Sequence, residues 1–126
     1  MWSEIHSMEA LGPVLLLFSI PMILRWIPQN RFVGFRPPAA LRDKSIWYDA
    51  NALAGRHCFV LGLVLVALEF TLPVTALAAM RNEILWTVST VGLVTIMVSD
   101  WRRANRWMRE RHRSAWPPVP PWTQPR

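Results

Sequence analysis

Cysteine is almost absent from this sequence, and the shortage excludes two common ways of stabilising a small protein. The only cysteine is Cys58, so the chain can form no intrachain disulfide and no CxxC metal site. Catalytic signatures are missing as well, since the chain contains no GxSxG, no HExxH and no phosphate-binding glycine loop. We therefore predict a protein that is not an enzyme, has no catalytic residues, and holds neither a metal nor a cofactor.

Positive charge is missing from the N-terminus. The first nine residues, MWSEIHSME, include two acidic residues and neither lysine nor arginine. A cleavable signal peptide needs a positively charged start and a small-residue cleavage site. We therefore expect the first apolar segment to remain in the mature protein.

Hydrophobic residues, by contrast, are abundant and clustered. They make up 52% of the 126 residues, and the mean hydropathy is +0.20. Clustered apolar runs are typical of membrane helices, whereas periodic ones are typical of soluble amphipathic helices. With their interfacial flanks included, three segments are long enough to span a bilayer, at about residues 5–27, 58–80 and 84–101. The sequence therefore predicts an all-α fold, an integral membrane three-helix bundle.

A polar, proline-containing stretch separates the first two predicted spans. Pro37 and Pro38 force an extended passage and forbid helix at that point, whereas Asp43 and Ser45 are both good N-caps from which a helix can begin. The apolar residues that follow share one helical face: Ile46, Trp47, Ala50, Leu53 and Ala54. This pattern predicts a cytoplasmic interfacial amphipathic helix over about residues 43–56, with Trp47 at headgroup depth.

The basic residues are unevenly distributed between the two sides of the predicted bundle. Of the 14 lysines and arginines, six border or lie in the first loop, seven follow the third span, and only Arg81 lies in the second turn. The positive-inside rule then places the first loop and the C-terminus in the cytoplasm and the N-terminus outside. This topology accounts for the net charge of +6 without nucleic acid, which we do not expect as a partner. Anionic lipid headgroups at the cytoplasmic face are the expected partners.

The chain after the third span divides into two parts. Trp101, Ala104 and Trp107 share a helical face, which predicts a basic helical extension over residues 102–113. Residues 1–113 would then form a single membrane domain. The rest, 114–126, is a proline-rich tail that is predicted to be extended or disordered.

Three residues of the predicted interfacial helix recur at intervals of four: Trp47, Asn51 and Gly55. Residues at this spacing line one stripe of a helix. Asn51 is placed to hydrogen-bond the backbone of a turn at Gly34, and Gly55 can admit a close neighbouring helix. The stripe can be interpreted as docking the helix onto the bundle, as a site for a ligand or partner, or as both.

Arg36 and Glu69 are the two charged candidates for a binding site. Arg36 can pair with Asp49 or bind a lipid phosphate. Glu69 lies eleven residues from each end of the second predicted span, and therefore near the middle of the bilayer. A carboxylate there costs about 2.5 kcal/mol or more, so it must be paired, neutral or hydrated. It is either a proton or ligand site, or a protonated side chain that is hydrogen-bonded to Ser or Thr of the third helix.

The first loop resembles the SdpI family of small bacterial integral membrane proteins. The resemblance rests on Asn30, on Gly34-Phe35-Arg36, on Leu41 and on Trp47-x3-Asn51-x3-Gly55. It covers about a quarter of the chain, and Pro37 stands where family members often have threonine. The resemblance implies a multi-pass protein of the bacterial cytoplasmic (inner) membrane. It also implies immunity to, or signalling about, a membrane-active peptide toxin, with that peptide or a membrane protein as partner.

Two other functions stay open on the sequence alone. The chain can be an accessory subunit that packs on a larger membrane complex through small residues such as Gly92. It can also be a small proton-coupled carrier that uses Glu69. The carrier would need an oligomer, because three spans are few for a transport path.

Overall fold

The computed structural model of this protein describes residues 10–30 and 32–114, and this part is helical without β-strands. The helices are α1 (Leu11–Ile23), α2 (Pro38–Arg42), α3 (Lys44–Thr71) and α4 (Arg81–Ser114), and the 3-10 turns Leu72–Val74 and Ala78–Met80 join α3 to α4. The prediction of an all-α protein is confirmed for these residues. The predicted start of the first span, residues 5–9, and residues 115–126 of the predicted tail lie outside the described residues.

Helix α2 begins at Pro38, which corrects the expectation that the two prolines forbid helix, because proline is tolerated at the first helical position. Helix α3 begins at Asp43, one of the two predicted N-caps. Its carboxylate accepts hydrogen bonds from the backbone amides of Ser45 at 2.8 Å and Ile46 at 3.3 Å. The Ser45 hydroxyl also donates to it, at 2.6 Å. This hydroxyl contact is the main reason why the pKa of Asp43 falls from 3.8 to about 2, and the two amides contribute.

One continuous helix replaces two predicted elements. The interfacial helix over 43–56 and the second span from Cys58 are both parts of α3, which passes through Gly55 and Arg56 without a break. No proline interrupts this sequence, and Gly55 packs directly against Met22 of α1. Close packing offsets the usual cost of glycine inside a helix, about 1 kcal/mol. This corrects the predicted boundary near residue 57.

Helix α3 ends at Thr71, nine residues before the predicted end at Met80. Pro73 lacks an amide hydrogen and clashes with the preceding turn, so the chain leaves the α-helix for the two 3-10 turns. Helix α4 then continues for 34 residues, starting at Arg81 rather than at Ile84. The predicted third span and its basic extension are therefore parts of one helix.

Within the described part of the chain, two helical segments are long and apolar enough to cross a membrane, Lys44–Val74 and Ala78–Ser114. Only 22% of the most apolar stretch of the first and 17% of the second is buried inside the protein. The core helix of a soluble protein would bury much more of such a stretch. Helix α1 is apolar too, but it ends at Ile23 rather than at the predicted residue 27, because Arg25 has a left-handed backbone conformation with a φ of +59° that an α-helix does not contain. Its 13 residues extend only about 20 Å, short of a bilayer core of about 30 Å.

Helix α3 packs along both α1 and α4, with two separate groups of buried side chains. One group surrounds Trp47 near the start of α3, and the other surrounds Leu65 near its end. Trp47 is 0% exposed and lies beneath α2 and the basic part of α4. The apolar face predicted for a membrane interface is therefore largely covered by protein, because α2 and α4 fold over it.

Candidate functional site

The side chain of Asn51 holds the loop between α1 and α2 onto α3. Its Oδ1 accepts a hydrogen bond from the Phe35 amide at 2.8 Å, and its Nδ2 donates to the Phe35 carbonyl at 3.0 Å. The same Nδ2 donates to the carbonyl of Trp47, also at 3.0 Å. Asn51 is 2% exposed, so these bonds satisfy groups that water does not reach. The predicted contact between Asn51 and the Gly34 turn is confirmed.

Gly34 is required by both its backbone conformation and its surroundings. Its φ of +105° is disfavoured for residues with a side chain. A Cβ at this position would lie 2.5 Å from Oδ1 of Asn51 and 3.4 Å from the Trp47 ring. Gly34 therefore lets the loop backbone reach the amide that holds it.

Trp47 makes a second tie between α3 and the loop. Its indole Nε1 donates a hydrogen bond to the carbonyl of Ile27 at 3.0 Å, just beyond the end of α1. Since the side chain is fully buried, Trp47 cannot contact a ligand directly. Its placement supports the interpretation that the Trp47, Asn51 and Gly55 stripe docks the loop and α1 onto α3.

Gly55 lies at a close approach of α1 to α3. A Cβ on Gly55 would lie 2.8 Å from Cβ of Met22 and 3.1 Å from the backbone of Ile23. The predicted close approach of another helix is confirmed, and that helix is α1.

Two loop residues outside the predicted site complete the hold on the backbone. Asn30 Oδ1 accepts hydrogen bonds from the amides of Phe32 at 2.8 Å and Val33 at 2.7 Å. Gln29 Nε2 donates to the carbonyls of Ala40 and Leu41, both at 2.9 Å. The residue type is the signal that identifies the first of these, because asparagine side chains commonly bond to the backbone two residues further on. No local signal identifies Gln29, because its acceptors lie eleven and twelve residues away.

A groove of about 1010 Å³ opens between this loop, α2 and α4. Its wall includes Gly34, Phe35 and Arg36 of the loop, Leu41 of α2, and Met97 and Trp101 of α4. The groove thus combines apolar side chains with the guanidinium group of Arg36, which is exposed. Two of the predicted site residues, Gly34 and Arg36, border it, whereas Trp47, Asn51 and Gly55 support the structure from beneath.

Asp49 pairs with other arginines than the predicted Arg36. Its carboxylate lies 2.8 Å from Arg25 of the segment after α1 and 3.5 Å from Arg111 of α4. Arg111 also lies 3.2 Å from Asp43 and contacts the Ser45 hydroxyl. Asp49 faces a different hollow from the Arg36 groove, and this explains the change of partner. All these pairs are partly exposed, so each contributes only about 0–1 kcal/mol to stability.

Glu69 lies apart from the other predicted site residues. It is half-buried in the last turn of α3, two residues before the helix ends at Thr71. Eighteen residues separate it from Asn51, which is about 27 Å along the helix axis. The predicted position at the middle of a span from 58 to 80 is corrected by the early end of α3. Glu69 and the groove therefore do not form one site.

The described residues contain no group of three or more His, Cys, Asp or Glu side chains that could hold a metal ion. The arrangement around the groove offers hydrogen bonding, apolar contact and one cation. These are means of binding a partner.

Comparison with protein families identifies one match. The model described as the SdpI/YfhL protein family matches residues 26–99, more than half of the chain. The matched range includes the loop, α2, α3 and the first part of α4. Comparisons with curated proteins and with solved structures found no match.

Proposed function

The chain belongs to the SdpI/YfhL protein family, and on that premise we propose that it protects its cell against a membrane-active peptide or signals the presence of one. Family membership and the two long apolar helices indicate a membrane protein. In our proposal it is a multi-pass, non-enzymatic protein of the bacterial cytoplasmic membrane. In this proposal the first loop and C-terminus lie in the cytoplasm and the N-terminus outside, so α1 must cross the membrane together with the residues that flank it. The distribution of arginine and lysine supports this orientation.

The observation that carries the proposal is the groove beside Gly34. Its volume of about 1010 Å³ is at the upper end of ordinary ligand pockets, enough for several side chains of a peptide. The apolar side chains of Phe35, Met97 and Trp101 suit apolar residues of such a peptide. Arg36 suits an acidic side chain or a C-terminal carboxylate, to which a guanidinium can donate two parallel hydrogen bonds.

The position of the groove suits a partner that arrives through the membrane. Met97 and Trp101 are 50% and 45% exposed, and they stand where the apolar surface of α4 gives way to its arginines. A peptide lying at the membrane interface can therefore contact the groove without leaving the interface. The loop is held in place by Asn51, Trp47 and Gln29, so binding would lose little conformational entropy.

The test is a challenge of bacteria that produce the protein with a panel of cationic amphipathic and uncharged apolar peptides. We expect survival against at least one peptide to rise, and to fall again in the groove variants Arg36→Ala and Leu41→Ala. Arg42→Ala is the matched control. Arg42 is exposed and follows Leu41 on α2, but it lies outside the groove wall. Membrane fractions are blotted so that equal amounts of each variant are compared.

Two results would overturn this function. One is unchanged survival, and unchanged transcription on peptide exposure, in cells whose membranes contain the wild-type protein. The other is protection that Arg36→Ala and Arg42→Ala reduce equally, because the groove would then have no special part.

The structure gives less support to the other two functions. Gly92, the predicted contact of an accessory subunit, already packs on Leu61, whose Cδ1 would lie 2.7 Å from a Cβ at that position. A carrier would need Glu69 in a path through the protein, and Glu69 lies about 27 Å along α3 from Asn51, which holds the groove loop. Copurification of one stoichiometric membrane-protein partner would favour the accessory subunit. Loss of transport in Glu69→Gln would favour the carrier.

A further inference from the structure

A second groove, which the toxin proposal does not use, opens between α3 and α4. It has a volume of about 520 Å³ and is bordered by His57 of α3 and four arginines of α4. The arginines are Arg102, Arg103, Arg106 and Arg109. At this spacing on a helix, they form one basic face about two turns long. We call this site the arginine groove.

A contact between Asp100 and His57 lies at the arginine groove. The Asp100 carboxylate is 1% exposed and lies 3.0 Å from Nδ1 of His57. This contact joins α3 to α4 at the point where the groove begins. A carboxylate within the groove would repel an anion, but here it is buried and already engaged with His57.

The four arginines have no carboxylate partner among the described residues. The carboxylates of Asp43, Asp49 and Asp100 pair with Arg111, Arg25 and His57 instead. Glu110, which follows Arg106 by one turn, lines a separate hollow beside Asp49. Among the described residues, the arginine groove therefore has four guanidinium groups against one carboxylate, an excess of positive charge that suits an anionic ligand.

The two helices change from apolar to basic at the level of the arginine groove. On α4 the exposed apolar residues end with Val98 and Trp101, and Arg102 follows directly. On α3, which contacts α4 through His57, the exposed Arg56 stands one turn from the exposed Val60. The groove therefore lies where the apolar surface of the protein meets its basic surface, and lipid phosphates occupy that level when such a helix crosses a membrane.

We propose that the arginine groove binds the phosphate of an anionic membrane lipid. Guanidinium groups donate paired hydrogen bonds to phosphate oxygens, and arginines at the membrane surface favour anionic headgroups. A bound lipid would bridge α3 and α4 beside the His57–Asp100 contact. This inference depends on the membrane location and not on recognition of a toxin.

The protein is reconstituted in vesicles of phosphatidylcholine that contain a trace of spin-labelled phosphatidylglycerol or spin-labelled phosphatidylcholine. The fraction of each label that the protein immobilises gives its preference for phosphatidylglycerol. We expect the wild type to prefer phosphatidylglycerol, and Arg103→Gln and Arg106→Gln each to reduce the preference about fivefold. Arg42→Gln and Arg113→Gln remove the same charge outside the groove wall and are the controls. Circular dichroism verifies that every variant keeps its helices.

Three results would overturn the proposal. The first is the absence of any preference in the wild type. The second is an equal loss in groove and control variants, because attraction would then depend on total charge alone. The third is displacement of the labelled lipid by inorganic phosphate at constant ionic strength, which would make the groove a site for a soluble anion.

Discussion

Replacement of Gly34 by alanine tests the arrangement that holds the loop to α3. The new Cβ would lie 2.5 Å from Oδ1 of Asn51, and the backbone would keep a φ of +105° only under strain. Asn51 would then have to move away and would lose its two hydrogen bonds to Phe35. Replacement of Asn51 by alanine breaks the same bonds directly, and it also removes the atom with which the new Cβ collides.

The two substitutions should therefore destabilise the protein by less together than the sum of their separate effects. Backbone strain at Gly34 costs about 1–3 kcal/mol, and each lost hydrogen bond costs about 1 kcal/mol. Gly34→Ala alone should then cost about 3–5 kcal/mol, and Asn51→Ala about 2–4 kcal/mol, since it also leaves buried backbone groups without partners. In the double variant the two bonds are lost only once, so the cost should fall short of the sum by about 2 kcal/mol.

The free energies of unfolding can be measured by titrating the protein from a mild detergent into sodium dodecyl sulfate, with helicity as the readout. All four members of the cycle are compared in the same micelles. Effects of Gly34→Ala and Asn51→Ala that add to within about 0.5 kcal/mol would refute the reasoning. They would mean that the glycine and the asparagine act independently.

Three further outcomes follow from single contacts. Trp47→Phe keeps an aromatic ring at the buried position but cannot donate the hydrogen bond to Ile27. It should therefore lower the free energy of unfolding by about 1–3 kcal/mol, and an unchanged free energy of unfolding would contradict the bond. Gly55→Ala should push α1 from α3 and reduce disulfide crosslinking between cysteines introduced along the two helices, whereas unchanged crosslinking would disprove the close approach. The pKa of Asp43 is lowered to about 2, so its ionised carboxylate stabilises the start of α3 at pH values above the usual pKa of 3.8. This contribution should disappear as the pH falls through 2. Asp43→Asn keeps a capping side chain without that titration, so a pH profile identical to the wild type between 4 and 2 would contradict this role.

Features that depend on neighbours in the sequence could be predicted well. The N-cap at Asp43 follows from residue type, and the buried face around Ile46 and Trp47 follows from helical spacing. The contact of Asn51 with the Gly34 turn was also predictable, because an asparagine on the apolar stripe of a helix needs a hydrogen-bond partner and a glycine turn offers its backbone. The cap and the buried face need only a residue type and an interval of a few positions, whereas the Asn51 contact joins residues sixteen positions apart.

Features that depend on distant residues were not predictable from the sequence alone. Asp49 had several arginines within reach, and only the folded arrangement selects Arg25 and Arg111 over Arg36. The far wall of the groove, Met97 and Trp101, lies more than fifty residues from Gly34 in sequence. The sequence predicts an end for α3 that is too late, because apolar residues continue beyond Pro73, although the backbone cannot continue the helix there.

The structure divides the predicted site into residues that support the loop and residues that can meet a partner. Asn51 and Trp47 are buried, and their polar side-chain atoms bond to the chain itself, so their substitution should impair function mainly by loosening the loop. Arg36 and Leu41 are exposed at the groove, and their substitution should change recognition while the fold survives. Measurement of protection and unfolding free energy on the same variants separates these roles. Loss of both in Asn51→Ala, with loss of protection alone in Arg36→Ala, is the pattern that the arrangement predicts.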